Sequence, residues 1–274
     1  LCDELGLDVI SAGGTAAFAM EAGERGLMED VPAFGDGEGL LSLLRRIAHR
    51  EGVGDLLAEG SRRAAAALGG DAPAFACHVK GLELPGYEPR ALQAMALGLA
   101  VSTRGADHNR SGAYEEDFRA GSDRMHADPE KADAVRRAED KSALLDSLVV
   151  CKFLRGVFDD VEAEAATMLE AVTGWPVTAD ELRETATRIV NAKKLFNQRE
   201  GWTRNEDTLP ARFLTEALPD GASAGAALSA RDLNRMITRY YQLRGWDEEG
   251  RLTKAQLRAL GLEDLTPIPP ETSA

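Results

Sequence analysis

One segment limits what this chain can become more than any other. Residues 94–101 read Ala-Met-Ala-Leu-Gly-Leu-Ala-Val, eight positions without a polar side chain. A membrane-crossing helix needs about 20 such residues, so the run predicts a short helix buried on every side, which other elements must surround. Those elements read as helices: aromatic residues make up only 5% of the 274, while Ala, Leu, Arg and Glu are abundant, a mixture that favours helix over a β-sandwich or barrel. The expected fold class is mostly α. Directly after Val101 comes Ser102-Thr103-Arg104-Gly105-Ala106-Asp107-His108-Asn109-Arg110. A polar loop carried on a rigid scaffold is where sites usually lie.

Apolar periodicity places further helices at residues 8–24, with Gly13 and Gly14 as a weak point and Gly26 as a stop, at 40–50, and from about 55 to 68. Residues 78–85 alternate like a short strand bounded by Gly and Pro. A seam near residue 80 is expected to separate a helical lobe of residues 1–79 from a second of residues 80–274. In the second, Asp128 followed by Pro129 predicts the start of a helix running towards Cys151. Thr178-Ala179-Asp180-Glu181 has the form of a capping box. Residues 229–243 and a short stretch near Thr253 complete the helices, and the tail from Pro267 is expected to fray.

The 32 Lys and Arg against 46 Asp and Glu leave a net charge of −14, which repels nucleic-acid phosphates and anionic membrane surfaces. Neither is expected as a partner. Three cysteines lying far apart, Cys2, Cys77 and Cys151, argue against a disulfide framework and for a reducing compartment. A soluble, cytoplasmic protein is therefore expected. The chain opens at Leu1 without Met, and its start is expected to be a cut edge.

Common signatures are missing: GxxxxGK[ST], GxGxxG after a strand, GxSxG, HExxH and CxxC. Two short segments do resemble each other, Asp3-Glu4-Leu5-Gly6-Leu7-Asp8 and Asp146-Ser147-Leu148-Val149-Val150-Cys151. On their own they carry almost no information, and solvated carboxylates near helix ends with a buried cysteine are the better account of them.

Their context is more specific. Leu1 to Ser11, Val79-Lys80-Gly81-Leu82-Glu83 with Pro85, Tyr87, Pro89 and Arg90, Leu99 to His108, Asp146 to Cys151, and Asn197 to Gly201 followed by Arg204, Asp207, Leu209, Pro210 and Arg212 form five ordered blocks. Together they resemble the tungsten-containing aldehyde ferredoxin oxidoreductases, over most of the chain. The resemblance implies two helical lobes corresponding to domains 2 and 3 of that fold, without the family's N-terminal β-rich domain.

In that family a D-x-x-G-L-[DC] motif occurs twice, each copy holding one of two molybdopterin-type cofactors that chelate a single tungsten or molybdenum atom. A pterin presents two parallel N–H donors, which one ionised Asp accepts as a bidentate pair. By resemblance, Asp3 and Asp8 hold one pterin with Gly6 and Leu7, and Asp146 holds the other with Val150 at the leucine position. Gly6, without a Cβ, lets the backbone approach the cofactor; Val149 departs from the glycine pattern. Cys151 corresponds to the remote fourth ligand of a [4Fe–4S] cluster, the other three lying N-terminal to the first motif in the family. His108 matches the family's active-site histidine, and an imidazole can polarise or protonate a carbonyl oxygen near neutral pH. Arg110 is a candidate for a pterin or phosphate oxygen.

The resemblance thus implies oxidation of an aldehyde to a carboxylic acid, electrons passing through the cluster to ferredoxin, and a homodimer when complete; superfamily relatives act on other substrates, including aromatic thioesters. The competing expectation is a cofactor-free helical interaction module, or a degenerate paralogue, that keeps the fold without catalysis.

Overall fold

A computed structural model describes residues 1–154 and 156–265. It is mostly helical, with strand among the described residues limited to a two-strand antiparallel hairpin and one isolated bridge. The expected fraying from Pro267 lies outside the described residues.

The first core gathers α1 (Val9–Glu24), α2 (Gly37–His49), α3 (Val53–Leu57), α4 (Ser61–Leu68) and α5 (Ala72–Phe75) around Phe18, Leu43, Ile47, Leu57 and Phe75. Gly13 and Gly14 do not break α1, because Gly14 is a packing site: a Cβ there would lie 2.7 Å from the Glu83 side chain. The single helix expected at 55–68 is two, interrupted at Gly60.

The expected strand at 78–85 is the hairpin β1 (His78–Val79) and β2 (Leu82–Glu83), turning at Lys80-Gly81. It joins the two cores. Val79 packs into the larger one, whereas the buried Glu83 carboxylate accepts from Ser61 N and Ser61 Oγ, both at 2.8 Å, and from Thr15 Oγ1 at 3.3 Å in the first. The 79/80 division falls in the turn of this hairpin.

α6 (Gln93–Val101) is buried at every position, as the apolar run requires. Its first amides are satisfied from a distance: the buried Asp117 accepts from Ala94 N at 3.0 Å and Met95 N at 2.8 Å. Two short helices follow, α7 (His108–Ser111) and α8 (Tyr114–Asp117), then the long α9 (Lys131–Ser147). That helix starts after Pro129 and stops before Cys151; Asp128 closes a local turn by accepting from Glu130 N. α10 (Val161–Thr173), α11 (Ala179–Arg199), α12 (Ala211–Thr215), α13 (Ala230–Arg244) and α14 (Lys254–Leu260) complete the chain. α11 opens with the expected capping box at Thr178 and Glu181.

α13 presents Leu233, Met236, Ile237, Tyr240 and Tyr241 to α6 at helical spacing. It is bolted to α9 by Arg244, which reaches Glu139 at 2.7 Å and Asp140 at 2.5 Å. With its guanidinium fully buried, Arg244 must be paired in this way. No helix among the described residues is long and apolar enough to cross a membrane.

Candidate cofactor and substrate site

The two related segments fold into the same turn. In the first, Leu5 N donates to Leu1 O (3.0 Å), Gly6 N to Asp3 O (3.3 Å) and Leu7 N to Cys2 O (2.9 Å); in the second, Leu148 N donates to Leu144 O (3.0 Å), Val149 N to Asp146 O (3.2 Å) and Val150 N to Leu145 O (2.9 Å). This is the Schellman pattern, in which a residue of positive φ ends a helical turn and amides beyond it cap the last carbonyls. Gly6 has φ +70° and Val149 φ +57°. The glycine position of the motif is therefore set by backbone conformation. Within the protein close approach is not the reason, since nothing lies within 4 Å of where a Gly6 Cβ would stand.

Around these turns the candidate residues separate into two groups. Asp3 and Asp8 are exposed, and Asp8 caps α1 by accepting from Ser11 N at 2.7 Å; Leu7 packs on the first core. Asp146, Val150 and Cys151 lie at the end of α9, and Cys151 is exposed. Here the structure joins distant positions, because the Arg110 guanidinium is ion-paired with the Asp146 carboxylate.

Asp107, which spacing alone did not single out, organises that group. Its carboxylate caps α7, accepting from Asn109 N at 2.8 Å and Arg110 N at 3.2 Å, and is ion-paired with Arg104. Burial would raise its carboxyl, but the two amides and then Arg104 outweigh it and hold the carboxyl below its ordinary value. An Asp directly before His108-Asn109-Arg110 is an N-cap signal that the sequence does contain.

Arg104 and Arg110 then line one face of a cavity of about 440 Å³ with Thr103, Lys193, Phe196 and Asn197. Partial burial of the Lys193 ammonium and, next, the charge of Arg110 lower its pKa. Three cations facing one hollow against two carboxylates, in a chain of net charge −14, suit an anionic ligand such as a phosphate.

His108 opens α7, half-buried beside two rings: Tyr87 at 5.1 Å and Tyr114 at 6.2 Å between centroids, the two tyrosines themselves stacked at 5.3 Å. Tyr114 could not be read from the sequence as a neighbour of His108, and Tyr87, 21 residues earlier in the chain, had only its place in the family blocks to mark it. The imidazole thus rests against a pair of stacked rings.

The donors present suit a pterin group: exposed carboxylates at both turns for paired N–H donors, and guanidinium groups for its phosphate. They do not by themselves make an iron–sulfur site, which takes four thiolates. Among the described residues no three His, Cys, Asp or Glu side chains converge to hold a metal ion, so Cys151 would contribute one ligand to a cluster completed from elsewhere.

Comparison with known proteins gives this arrangement its context. Residues 1–262 match the family model described as aldehyde ferredoxin oxidoreductase, domains 2 & 3. The chain is 38% identical over 275 residues to the tungsten-containing aldehyde ferredoxin oxidoreductase of Pyrococcus furiosus, and 38% over 276 residues to that of Thermococcus kodakarensis, covering 96% of this chain and 44% of each relative. It is 31% identical over 279 residues to the aliphatic sulfonate oxidoreductase, WOR-like subunit, of P. furiosus, covering 96% of this chain and 41% of that one. Among solved structures, the active-site complex BamBC of benzoyl coenzyme A reductase with 1,5-dienoyl-CoA superposes with a TM-score of 0.69 at 22% identity, over 94% of this chain and 44% of that one; this is a likeness of fold. The chain spans less than half the length of the relatives it matches, and over that span it belongs to the aldehyde ferredoxin oxidoreductase family.

Proposed function

We propose that this chain forms the pterin- and substrate-facing part of an oxidoreductase that converts aldehydes to carboxylic acids. The observation that carries the reading is the repeated Schellman turn, which offers an aspartate at the same place in two separate parts of the chain, as two like ligands would require. Asp3 and Asp8, with Gly6 and Leu7, would hold one pterin; Asp146, with Val150, would hold the other, and Arg110, beside Asp146, would meet a pterin or phosphate oxygen.

When bound, a tungsten or molybdenum bis-pterin centre supplies a two-electron acceptor, and a [4Fe–4S] cluster ligated in part by Cys151 supplies single-electron transfer to ferredoxin or a like carrier. The overall change is balanced by water: aldehyde plus water yields carboxylic acid, two protons and two electrons. The chain's own share is orientation and proton handling. His108, resting against Tyr87 and Tyr114, would donate a hydrogen bond to the aldehyde oxygen, or move a proton, as water adds. Arg104 and Arg110 would neutralise negative charge beside it. A cytoplasmic location and a homodimer belong to the same proposal.

The test uses the complete protein that contains this chain. Metal analysis should find tungsten or molybdenum together with iron. His108→Ala should retain both while aldehyde oxidation falls about 10²- to 10⁴-fold, as for loss of a general acid–base group. Cys151→Ser should lower the iron content and leave the helical fold. Protein free of all three metals would replace this reading with the cofactor-free interaction module.

A further inference from the structure

The loop that carries Arg104, Asp107, His108 and Arg110 is anchored from an unexpected direction. Its carrier, α6, is a buried helix, and the last carbonyls of a buried helix need donors. One comes from the β-hairpin turn: Lys80 Nζ donates to Ala100 O at 2.5 Å and lies 2.8 Å from Asp207 Oδ1. Asp207 is fully buried and accepts also from Lys194 Nζ at 3.1 Å, Tyr241 OH at 2.6 Å and Trp202 Nε1 at 3.1 Å. Burial alone would raise this carboxyl, but Lys80 and Lys194 prevail and keep it ionised. Lys194, whose ammonium rests 3.1 Å from the centre of the Trp202 ring, is pushed down by burial to about 8.

The turn residue is costly by local rules. Lys80 and Gly81 both have positive φ, +55° and +89°, a two-residue hairpin geometry that strongly favours Asn-Gly. A lysine in the left-handed region costs about 1–2 kcal/mol, so its presence is explained by what its side chain reaches. The same hairpin touches the loop again, since a Cβ on Gly105 (φ +96°) would stand 2.3 Å from Val79 O. A third tie comes from α11, where Asn197 Nδ2 donates to Thr103 O at 2.6 Å.

We propose that Lys80, by bridging the Ala100 carbonyl and the Asp207 carboxylate, is the positioning residue that sets the loop from Ser102 to Arg110. Its importance for turnover rests on reading that loop as the active-site loop; its structural effect does not.

The test is Lys80→Asn in the complete protein. Asparagine suits the turn better than lysine, so the hairpin is preserved while the tether is lost. Hydrogen exchange should accelerate at least tenfold at the amides of Gly105, Asp107, Ser111 and Gly112, with no change in α2 of the first core; kcat for aldehyde should fall about tenfold with KM little altered, and Lys80→Arg should restore most of both. Unchanged exchange in the loop overturns the proposal, as does an equal rise in α2, which would make Lys80 a general stabiliser. If exchange rises as expected while His108→Ala leaves turnover normal, the positioning role stands and the proposed function falls.

Discussion

Residues 1–7 and 144–150 form one backbone turn written in two ways, and the contrast separates what the turn needs from what its surroundings add. Both use a positive-φ residue at the helix stop. The first supplies glycine, for which that conformation is nearly free. The second supplies Val149, a β-branched residue that is 91% exposed and so gains nothing from packing to offset the strain. The two turns also differ in electrostatics: Asp3 faces solvent, whereas Asp146 is met by Arg110 and, through it, by the Asp107 cap. The turn is thus a backbone device that tolerates either residue, while the charge around it belongs to the particular lobe.

The largest expected effect equalises the two turns in the unfavourable sense. Gly6→Val should lower the stability of the first lobe by about 1 kcal/mol, the left-handed cost of about 1–2 kcal/mol less the freedom that valine removes from the unfolded chain, about 0.4–1 kcal/mol, read as a reduced midpoint in denaturant; an unchanged midpoint would mean that φ does not decide this position. An effect of opposite sign and no greater size is expected from Val149→Gly. Relief of about 1–2 kcal/mol of strain is partly cancelled by the greater freedom of glycine in the unfolded chain, about 0.4–1 kcal/mol. Thermal unfolding should therefore rise by a degree or two, and a fall would show that Val149 is held by contacts and not strained.

The smallest effect is local and depends on pH. Asp107 sits below its ordinary value, so its contribution is complete above the ordinary aspartate value of about 3.9 and is lost as pH falls through the lower, folded value. Amide signals of Asn109 and Arg110 should shift together with a midpoint under that value. A midpoint at or above 3.9 would remove Asp107 as the organiser of the second turn.

Much of the molecule was legible before folding. The burial of α6 followed from an apolar run too short for a membrane and too long for a surface, and the capping box at Thr178 fixed the start of α11 because its signals are local. Boundaries that depended on partners elsewhere were not legible: α6 starts at Gln93 because Asp117 caps it, and the helix expected from Pro129 starts at Lys131. α10, whose apolar stripe is weak and whose Asp160 cap is a common residue, gave no sufficient signal.

The same division holds for the site. By itself the sequence determined the helical class and the polar loop after the buried helix, because periodicity and capping act over a few residues; through its resemblance it also put forward Asp3, Asp8, His108, Arg110, Asp146 and Cys151, whose roles belong to the proposed function. Only the tertiary structure decided that Arg110 meets Asp146, that Tyr87 and Tyr114 flank His108, and that Lys80 reaches the end of α6. Those pairs are 36, 21, 6 and 20 residues apart. Most span several turns of chain, and even Tyr114 reaches His108 only through the bend between two short helices. Side chains so placed meet through the packing of whole elements, and no local preference encodes where packing will bring them.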